Sequence, residues 1–152
     1  MAAEEVLYIE GGTRLNGEAE VQGSKNAALP MIAASLLAEK GETVLHRVPP
    51  VKDVLVALEV LRQLGARVDF DPTVGSAVID ATGVDTTEMP SDLTGRLRAS
   101  VLFVGPLLSR FHNVTIAEVG GCNIGARSTD YHYRGFARMG ATVEAAGSGG
   151  YK

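Results

Sequence analysis

The chain has 152 residues, of which 45% are hydrophobic and 21% charged, and its formal net charge is −4. This length and composition are typical of one soluble globular domain, and the acidic balance argues against a general nucleic-acid or membrane-surface partner. Any anion-binding site must therefore be local. The single cysteine, Cys122, excludes an intrachain disulfide and predicts a reducing, cytoplasmic location.

The first half of the chain predicts strands and two helices. Ser24 is the expected N-cap of a helix over residues 25–39, which is apolar nearly all round and is expected to be central. Asp53 is the expected cap of a second helix over residues 54–64, with Gly65 just beyond its end. The strands expected from alternating or β-branched runs are residues 6–10, 18–22, 43–48 and a hairpin of 66–71 with 76–81.

The second half predicts the same kinds of element after a loop over residues 82–90. A helix over residues 91–110 should be kinked or split at Gly105 and Pro106. A further helix, capped by Ser128 or Thr129, should run to residue 139 and close at Gly140. Strands are expected at residues 113–119 and 141–145, and a hairpin turn at 147–152.

Segments in the two halves of the chain match each other in sequence, so the order helix, strand, helix, strand occurs twice. Residues 61–68 match 136–143, and residues 27–37 match 98–108. The strand at 43–48 likewise matches 113–119. A duplication of this length is a supersecondary unit rather than a solenoid turn, and a unit with an apolar helix needs neighbours to cover it.

The stretch Val-Gly-Gly-Cys-Asn-Ile-Gly-Ala-Arg, residues 119–127, indicates an anion-binding loop with a reactive thiol. Glycines let the backbone approach a ligand, and the Arg127 guanidinium would favour the Cys122 thiolate. Lys25 and Asn26 lie at the positive end of the first helix, where an anion is stabilised. The structural alternatives are a buried, inert Cys122 and a Lys25 that only begins a helix. Arg98 could likewise pair with a carboxylate such as that of Asp92, and Arg127 with a carboxylate elsewhere.

Two motifs, Gly-Ser-Lys-Asn-Ala-Ala-Leu-Pro at residues 23–30 and Gly-Gly-Cys-Asn-Ile-Gly-Ala-Arg at 120–127, resemble the UDP-N-acetylglucosamine 1-carboxyvinyltransferase family. Segments 11–12, 48–53, 64–66, 97–100 and 105–107 extend the resemblance along the chain, which matches the family's N-terminal part. The related 5-enolpyruvylshikimate-3-phosphate synthases share the fold and the early lysine but lack the Gly-Gly-Cys loop.

The resemblance implies an α/β (α+β) fold of repeated βαβαββ units around buried helices, part of an inside-out α/β barrel, with two units here. It implies that residues 1–22 form strands that pack with a second domain, and that residues 23–152 are a partial first domain. The third unit and the second domain would lie outside this chain.

The implied reaction transfers the enolpyruvyl group of phosphoenolpyruvate to the 3-hydroxyl of UDP-N-acetylglucosamine and releases phosphate, the first committed step of peptidoglycan synthesis. Cys122 resembles the family's proton donor and fosfomycin target, since protonating C3 needs a positioned acid. The implied substrate-binding residues are Lys25, Asn26, Arg98, Arg127, Ser128, Thr129, Asp130 and Tyr131. The family's Arg-Pro-Val-Asp-Leu pattern at the uridine end is Arg-Ser-Thr-Asp-Tyr here, so only Asp130 is kept after the arginine.

No cofactor is expected, and His46, His112 and His132 lack the spacing of metal ligands. The family's general base, an aspartate, belongs to its second domain. The 152 residues are therefore expected to be inactive without that domain or a second copy. One alternative is a phosphate- or UDP-sugar-binding relative that lacks catalysis, and another is a 5-enolpyruvylshikimate-3-phosphate synthase, which Cys122 disfavours.

Overall fold

A computed structural model describes residues 6–120 and 128–152 of the chain. The helices are α1 (Lys25–Ala34), α2 (Lys52–Gln63), α3 (Ser91–Thr94), α4 (Val101–Phe111) and α5 (Asp130–Arg138). The strands are β1 (Thr43–Leu45), β2 (Arg67–Asp71), β3 (Ser76–Asp80), β4 (Ala145–Ala146) and β5 (Gly150–Tyr151). In the part of the chain so described, no helix is both long and apolar enough to span a bilayer.

The first repeat unit is a three-stranded antiparallel sheet with the order β1-β3-β2, against which α2 packs, and α1 packs on α2. Its central strand alternates, because Ala77 and Ile79 are buried while Val78 between them is only partly so. The predicted hairpin of β2 and β3 is confirmed. Leu58, Leu61 and Leu64, spaced three apart on and just after α2, are fully buried beneath this sheet.

The second unit has the same strand order, in a shorter form. β5 lies between β4 and Ile116, so Leu45–Ala77–Phe70 in the first unit corresponds to Ile116–Tyr151–Ala145 in the second. Helix α2 and its counterpart in the second unit, α5, also end alike. The glycines that follow them, Gly65 and Gly140, have φ of +100° and +101°. The predicted repeat is therefore visible in the topology and in the turns.

The two units are joined through helices α1 and α4, which pack against each other. The Arg110 guanidinium near the end of α4 reinforces this contact by donating to the carbonyls of Leu36 (2.9 Å) and Ala81 (3.0 Å). One hydrophobic core consequently runs through both units and includes Ile32 of α1 and Phe103 of α4.

The N-terminal strands predicted at residues 6–10 and 18–22 do not form, and this prediction is wrong for the described structure. Val6, Leu7, Tyr8 and Ile9 are at least 78% exposed. An extended segment becomes a strand only when its backbone groups pair with a neighbour, and residues 6–20 pair with no other described segment.

Several predicted boundaries are also corrected. The helix over residues 91–110 is interrupted at 95–97 by an extended Leu97, whereas α4 continues through Gly105 and Pro106. The strand at 113–119 is reduced to bridges at Thr115 and Ile116, and the last strand begins at Ala145. These segments have few strand partners in the second unit, which explains why their β pattern is only partly realised.

Helix α1 is central on one face only. Ala28, Leu29, Ile32 and Ala33 are buried against α2 and α4, while Met31 remains 44% exposed. The all-apolar composition correctly predicted burial, but the described elements cover only about half of the helix.

Candidate functional site

The N-terminus of α1 is fixed by contacts on both sides of Ser24. The Ser24 hydroxyl accepts a hydrogen bond from the Ala27 amide at 3.4 Å, which confirms the predicted N-cap. The backbone of Gly23 lies so close to that of Arg47 that a Cβ on Gly23 would be 1.5 Å from the Arg47 carbonyl oxygen. The Gly-Ser-Lys-Asn motif thus begins at a point where only glycine fits.

Lys25 lies in the first turn of α1 and pairs with Asp53 in the first turn of α2. The distance from Nζ to Oδ2 is 2.9 Å, and the two side chains are 46% and 38% exposed. Asp53 is not the helix cap that the sequence predicts, because α2 begins at Lys52 with Val51 at the N-cap position. The carboxylate instead offsets the unfavourable placement of a cation at the positive end of a helix.

Asn26 follows Lys25 on the same turn and is exposed. The ammonium, the amide side chain and the free amides of the first turn therefore lie together at the surface. Such a group can bind a phosphate or carboxylate through charge and through backbone N–H donors.

The entry to the Gly-Gly-Cys loop lies against the segment that leads to Arg98. The Gly120 amide donates to the Thr94 carbonyl at 3.1 Å, and a Cβ on Gly120 would be 2.1 Å from the carbonyl oxygen of Gly95. Arg98 follows three residues later, partly buried and engaged in a contact of its own. The fold therefore places the beginning of the Gly-Gly-Cys loop against Gly95, which precedes this predicted cation by three residues in the chain.

Cys122 and Arg127 lie outside the described residues, so the predicted proton donor and phosphate arginine remain predictions. Among the residues that the structure does describe, there is no group of three or more histidine, cysteine, aspartate or glutamate side chains that could hold a metal ion.

The predicted uridine-end residues lie at the start of α5. The Ser128 hydroxyl accepts from the Asp130 amide at 3.2 Å, and Thr129 occupies the N-cap position. Tyr131 is 77% exposed, and the Arg134 guanidinium lies 5.5 Å from its ring centroid. In the described segments no hydrogen bond or ion pair links these residues to Lys25 or Asn26.

One buried titratable group supports α5 from beneath. Tyr133 is 6% exposed and stacks on Tyr151, with 3.9 Å between ring centroids. Burial raises the pKa of the Tyr133 hydroxyl, while a hydrogen bond with Thr129 acts in the opposite direction. The phenol thus stays neutral and holds the first turn of α5 against the C-terminal hairpin.

The sequence reading did not find the role of Asp53, Gly23 or Gly120. For Asp53 the only signal in the sequence is the run Lys-Asp at residues 52–53, and this run is equally compatible with the ordinary start of a helix. For the two glycines the signal was only the residue type, because each contact joins backbones at least 24 residues apart in the chain.

Comparison with known proteins bears on these motifs. Residues 9–152 match the family described as EPSP synthase (3-phosphoshikimate 1-carboxyvinyltransferase). The chain is 49% identical over 144 residues to a UDP-N-acetylglucosamine 1-carboxyvinyltransferase of Thermobifida fusca (strain YX), an alignment that covers 92% of this chain and 33% of the relative. It is 45% identical over 140 residues to UDP-N-acetylglucosamine 1-carboxyvinyltransferase 1 of Halalkalibacterium halodurans, covering 92% and 31%.

A solved structure shares the fold of this chain. The chain superimposes on the crystal structure of the enolpyruvyl transferase NikO from Streptomyces tendae with a TM-score of 0.75 at 25% identity, covering 93% of this chain and 30% of that one. The predicted fold class and the resemblance read from the two motifs are confirmed. The chain spans about a third of the length of the curated relatives that it matches.

Proposed function

The chain belongs to the EPSP synthase (3-phosphoshikimate 1-carboxyvinyltransferase) family, and on that premise we propose that it contributes the anion-binding half of an enolpyruvyl transferase site. The proposed reaction moves the enolpyruvyl group of phosphoenolpyruvate to the 3-hydroxyl of UDP-N-acetylglucosamine and releases phosphate, in the cytoplasm. This choice of acceptor follows the names of the relatives at 45% and 49% identity and the Gly-Gly-Cys loop.

The observation that carries the proposal is the position of Lys25. Its ammonium lies in the first turn of α1, partly exposed and 2.9 Å from the Asp53 carboxylate. A bound phosphate or carboxylate would add a second anion to this cation and accept from the amides of the same turn. Fixed cations of this kind stabilise the negative charge of the substrate and of the tetrahedral intermediate.

We assign the remaining roles by the same resemblance. Cys122 protonates C3 of phosphoenolpyruvate, Arg98 and Arg127 bind phosphate or sugar nucleotide, and Asn26 assists Lys25. Residues 128–131 bind the uridine end. Residues 1–22 pack with a second domain, which supplies the general base, and residues 23–152 form part of the first. The second domain, or a second copy of the chain, is therefore the proposed partner.

Titration calorimetry of the 152-residue chain with UDP-N-acetylglucosamine and phosphoenolpyruvate tests the binding half of this proposal. We expect Lys25→Ala to weaken binding at least tenfold, equivalent to about 1.4 kcal/mol. Lys40→Ala is the matched control, because Lys40 is exposed and outside the motif. Equal losses in both variants would contradict the assigned role of Lys25.

Phosphate release from the two substrates tests the catalytic half. We expect none from the chain alone, and release once the remaining two thirds of a relative is added as a separate polypeptide. Release from the chain alone that Cys122→Ser abolishes would mean that copies of the chain assemble a working site. Binding without release under either condition would favour a binding relative that lacks catalysis.

A further inference from the structure

Arg47 has an unusual backbone conformation for its residue type. Its φ is +57°, and among the residues that the structure describes only His112 is another non-glycine residue with positive φ. His112 is the C-cap of α4, where a left-handed residue commonly ends a helix. Arg47 instead follows β1, which ends at Leu45. A left-handed backbone is unfavourable for a residue with a side chain, so contacts with neighbouring segments must hold Arg47 in it.

The turn between β2 and β3 supplies one of these contacts. The Val48 amide donates to the Gly75 carbonyl at 2.8 Å. A Cβ on Gly75 would lie 2.9 Å from the Val48 carbonyl oxygen and 3.4 Å from the Arg47 Cα. Because a Cβ does not fit in this space, the turn rests directly on the backbone of residues 47 and 48.

Arg47 also contacts the start of the Gly-Ser-Lys-Asn motif, through both its backbone and its side chain. Its carbonyl oxygen lies where a Cβ on Gly23 would be, with only 1.5 Å between the two positions. Its guanidinium donates to the Val21 carbonyl, two residues earlier in the chain. Arg47 therefore holds the chain at two points immediately before the Ser24 N-cap.

Ser24 in turn fixes the first turn of α1 through two hydrogen bonds. Its hydroxyl accepts from the Ala27 amide at 3.4 Å, and its carbonyl accepts from the Ala28 amide at 2.9 Å. Lys25 follows Ser24 directly, so the ammonium that carries the proposed function moves with this turn. Because a misplacement of about 1 Å can cost a functional group about 100-fold in efficiency, the contact at Gly23 bears on the site.

We infer that Arg47 is a positioning residue for the first turn of α1, and that the β2–β3 turn holds Arg47 in place. Gly75 supports Arg47, Arg47 contacts Gly23, and the helix cap follows Gly23 directly. Arg47 acts on the site through these contacts and needs none with the ligand. The ligand class, a phosphate or carboxylate, rests on the proposed function, whereas the fixed position of the turn does not.

Gly75→Ala and Gly41→Ala form a matched pair of variants that tests the support from the β2–β3 turn. Both glycines have left-handed φ, +65° and +77°, so alanine is strained at each. Only the Cβ on Gly75 meets other atoms, since nothing lies within 4 Å of a Cβ on Gly41. In amide hydrogen exchange, we expect the Ala27 and Ala28 amides to exchange about tenfold faster in Gly75→Ala than in Gly41→Ala.

An internal reference separates this local effect from a loss of global stability. The Leu64 amide donates to the Val60 carbonyl at 3.0 Å at the end of α2, and Leu64 is fully buried. The exchange rates of Ala27 and Ala28 are therefore expressed relative to that of Leu64 in each variant. Titration calorimetry with phosphoenolpyruvate should show about threefold weaker binding to Gly75→Ala than to Gly41→Ala.

Two substitutions of Arg47 test its side chain without a risk to folding. Glycine adopts positive φ without strain, so Arg47→Gly should keep the wild-type melting temperature while it removes the donor to Val21. We expect faster exchange at Ala27 and weaker binding of phosphoenolpyruvate in this variant. Arg47→Lys keeps a donor and should restore both towards wild type. If Arg47→Lys loses as much as Arg47→Gly, the assignment to the side chain is overturned.

The remaining outcomes distinguish this inference from the proposed function. Equal relative exchange in Gly75→Ala and Gly41→Ala would overturn the inference, whatever the ligand is. Faster exchange with unchanged affinity would also overturn it, provided that Lys25→Ala does weaken binding. If Lys25→Ala leaves the affinity unchanged, the proposed function fails, and the exchange rates alone decide whether Arg47 positions the turn.

Discussion

Lys25 and Asp53 connect the first turns of α1 and α2 across 28 residues of sequence, with 2.9 Å between the ammonium and the carboxylate. Both side chains are more than a third exposed. Because solvent screens such a pair, its coupling should contribute only about 0–1 kcal/mol to the free energy of unfolding. The geometry is therefore better explained by positioning the ammonium than by stabilising the fold.

A double-mutant cycle of Lys25→Met and Asp53→Asn, followed by urea denaturation, measures that coupling. Each single variant should lower the free energy of unfolding by no more than about 1 kcal/mol. Asp53→Asn should nevertheless weaken phosphoenolpyruvate binding less than Lys25→Met does, because only Lys25 is assigned to the ligand. A coupling well above this range would show that the pair is mainly structural.

Gly120→Ala should be strongly destabilising. The new Cβ would lie 2.1 Å from the Gly95 carbonyl oxygen, so the backbone has to move. We expect a loss of about 1–3 kcal/mol in the free energy of unfolding. Gly135→Ala is the control, because its Cβ meets nothing within 4 Å and it lies inside α5, where alanine should stabilise by roughly 0.5–1 kcal/mol. Equal effects in thermal denaturation would contradict the close contact.

Arg110→Met tests the connection between the two units. It removes the donor to the carbonyls of Leu36 and Ala81, both of buried residues. Leaving these acceptors unpaired should lower the free energy of unfolding by about 1–3 kcal/mol. Arg138→Met changes an exposed arginine and should have an effect within about 0.5 kcal/mol. If denaturant unfolding does not separate the two variants, the Arg110 contacts contribute little.

Asp80 gives a prediction for acidic pH. The Thr82 hydroxyl and amide donate to its carboxylate at 2.6 and 3.0 Å, and these hydrogen bonds, the hydroxyl's first, lower the pKa of Asp80 from 3.8. A lowered pKa in the folded state means that the associated stability is present above pH 3.8 and is lost as the pH falls through the folded-state pKa.

Carbon-detected NMR titration of the Asp80 carboxyl group checks this shift. Thr82→Val removes the hydroxyl bond, and the Asp80 pKa should rise towards its ordinary value. Thr86→Val should leave the Asp80 pKa unchanged, since the Thr86 hydroxyl accepts from the Glu88 amide instead. A Thr82→Val curve that overlays the wild-type curve would mean that the hydroxyl does not set the pKa.

Local sequence signals predicted much of the fold. Ser24 caps α1, Gly65 and Gly140 follow their helices in left-handed conformations, and the hairpin of β2 and β3 has the predicted limits to within a residue. Each of these features depends on residues only a few positions apart. The sequence match between residues 61–68 and 136–143 predicted an internal repeat, and the two units do share one strand order.

The errors occur where an element needs a distant partner. Residues 6–10 and 18–22 have strand-like composition but no partner in the described chain, and residues 113–119 are paired at only two positions. Composition cannot reveal whether a neighbour is present, because strand pairing depends on backbone groups that are remote in sequence. The exposed face of α1 has the same explanation, because its burial also depends on segments that are remote in sequence.

The sequence by itself determined the family, through the motifs around Lys25 and Cys122, and it determined helices α1, α2 and α5, the main hairpin and the repeat. Only the tertiary structure decided that Asp53 pairs with Lys25 and that Gly120 rests on Gly95. Motifs and helix caps depend on residues that are neighbours in the sequence. Ion pairs and backbone contacts depend on how segments far apart in the chain pack together.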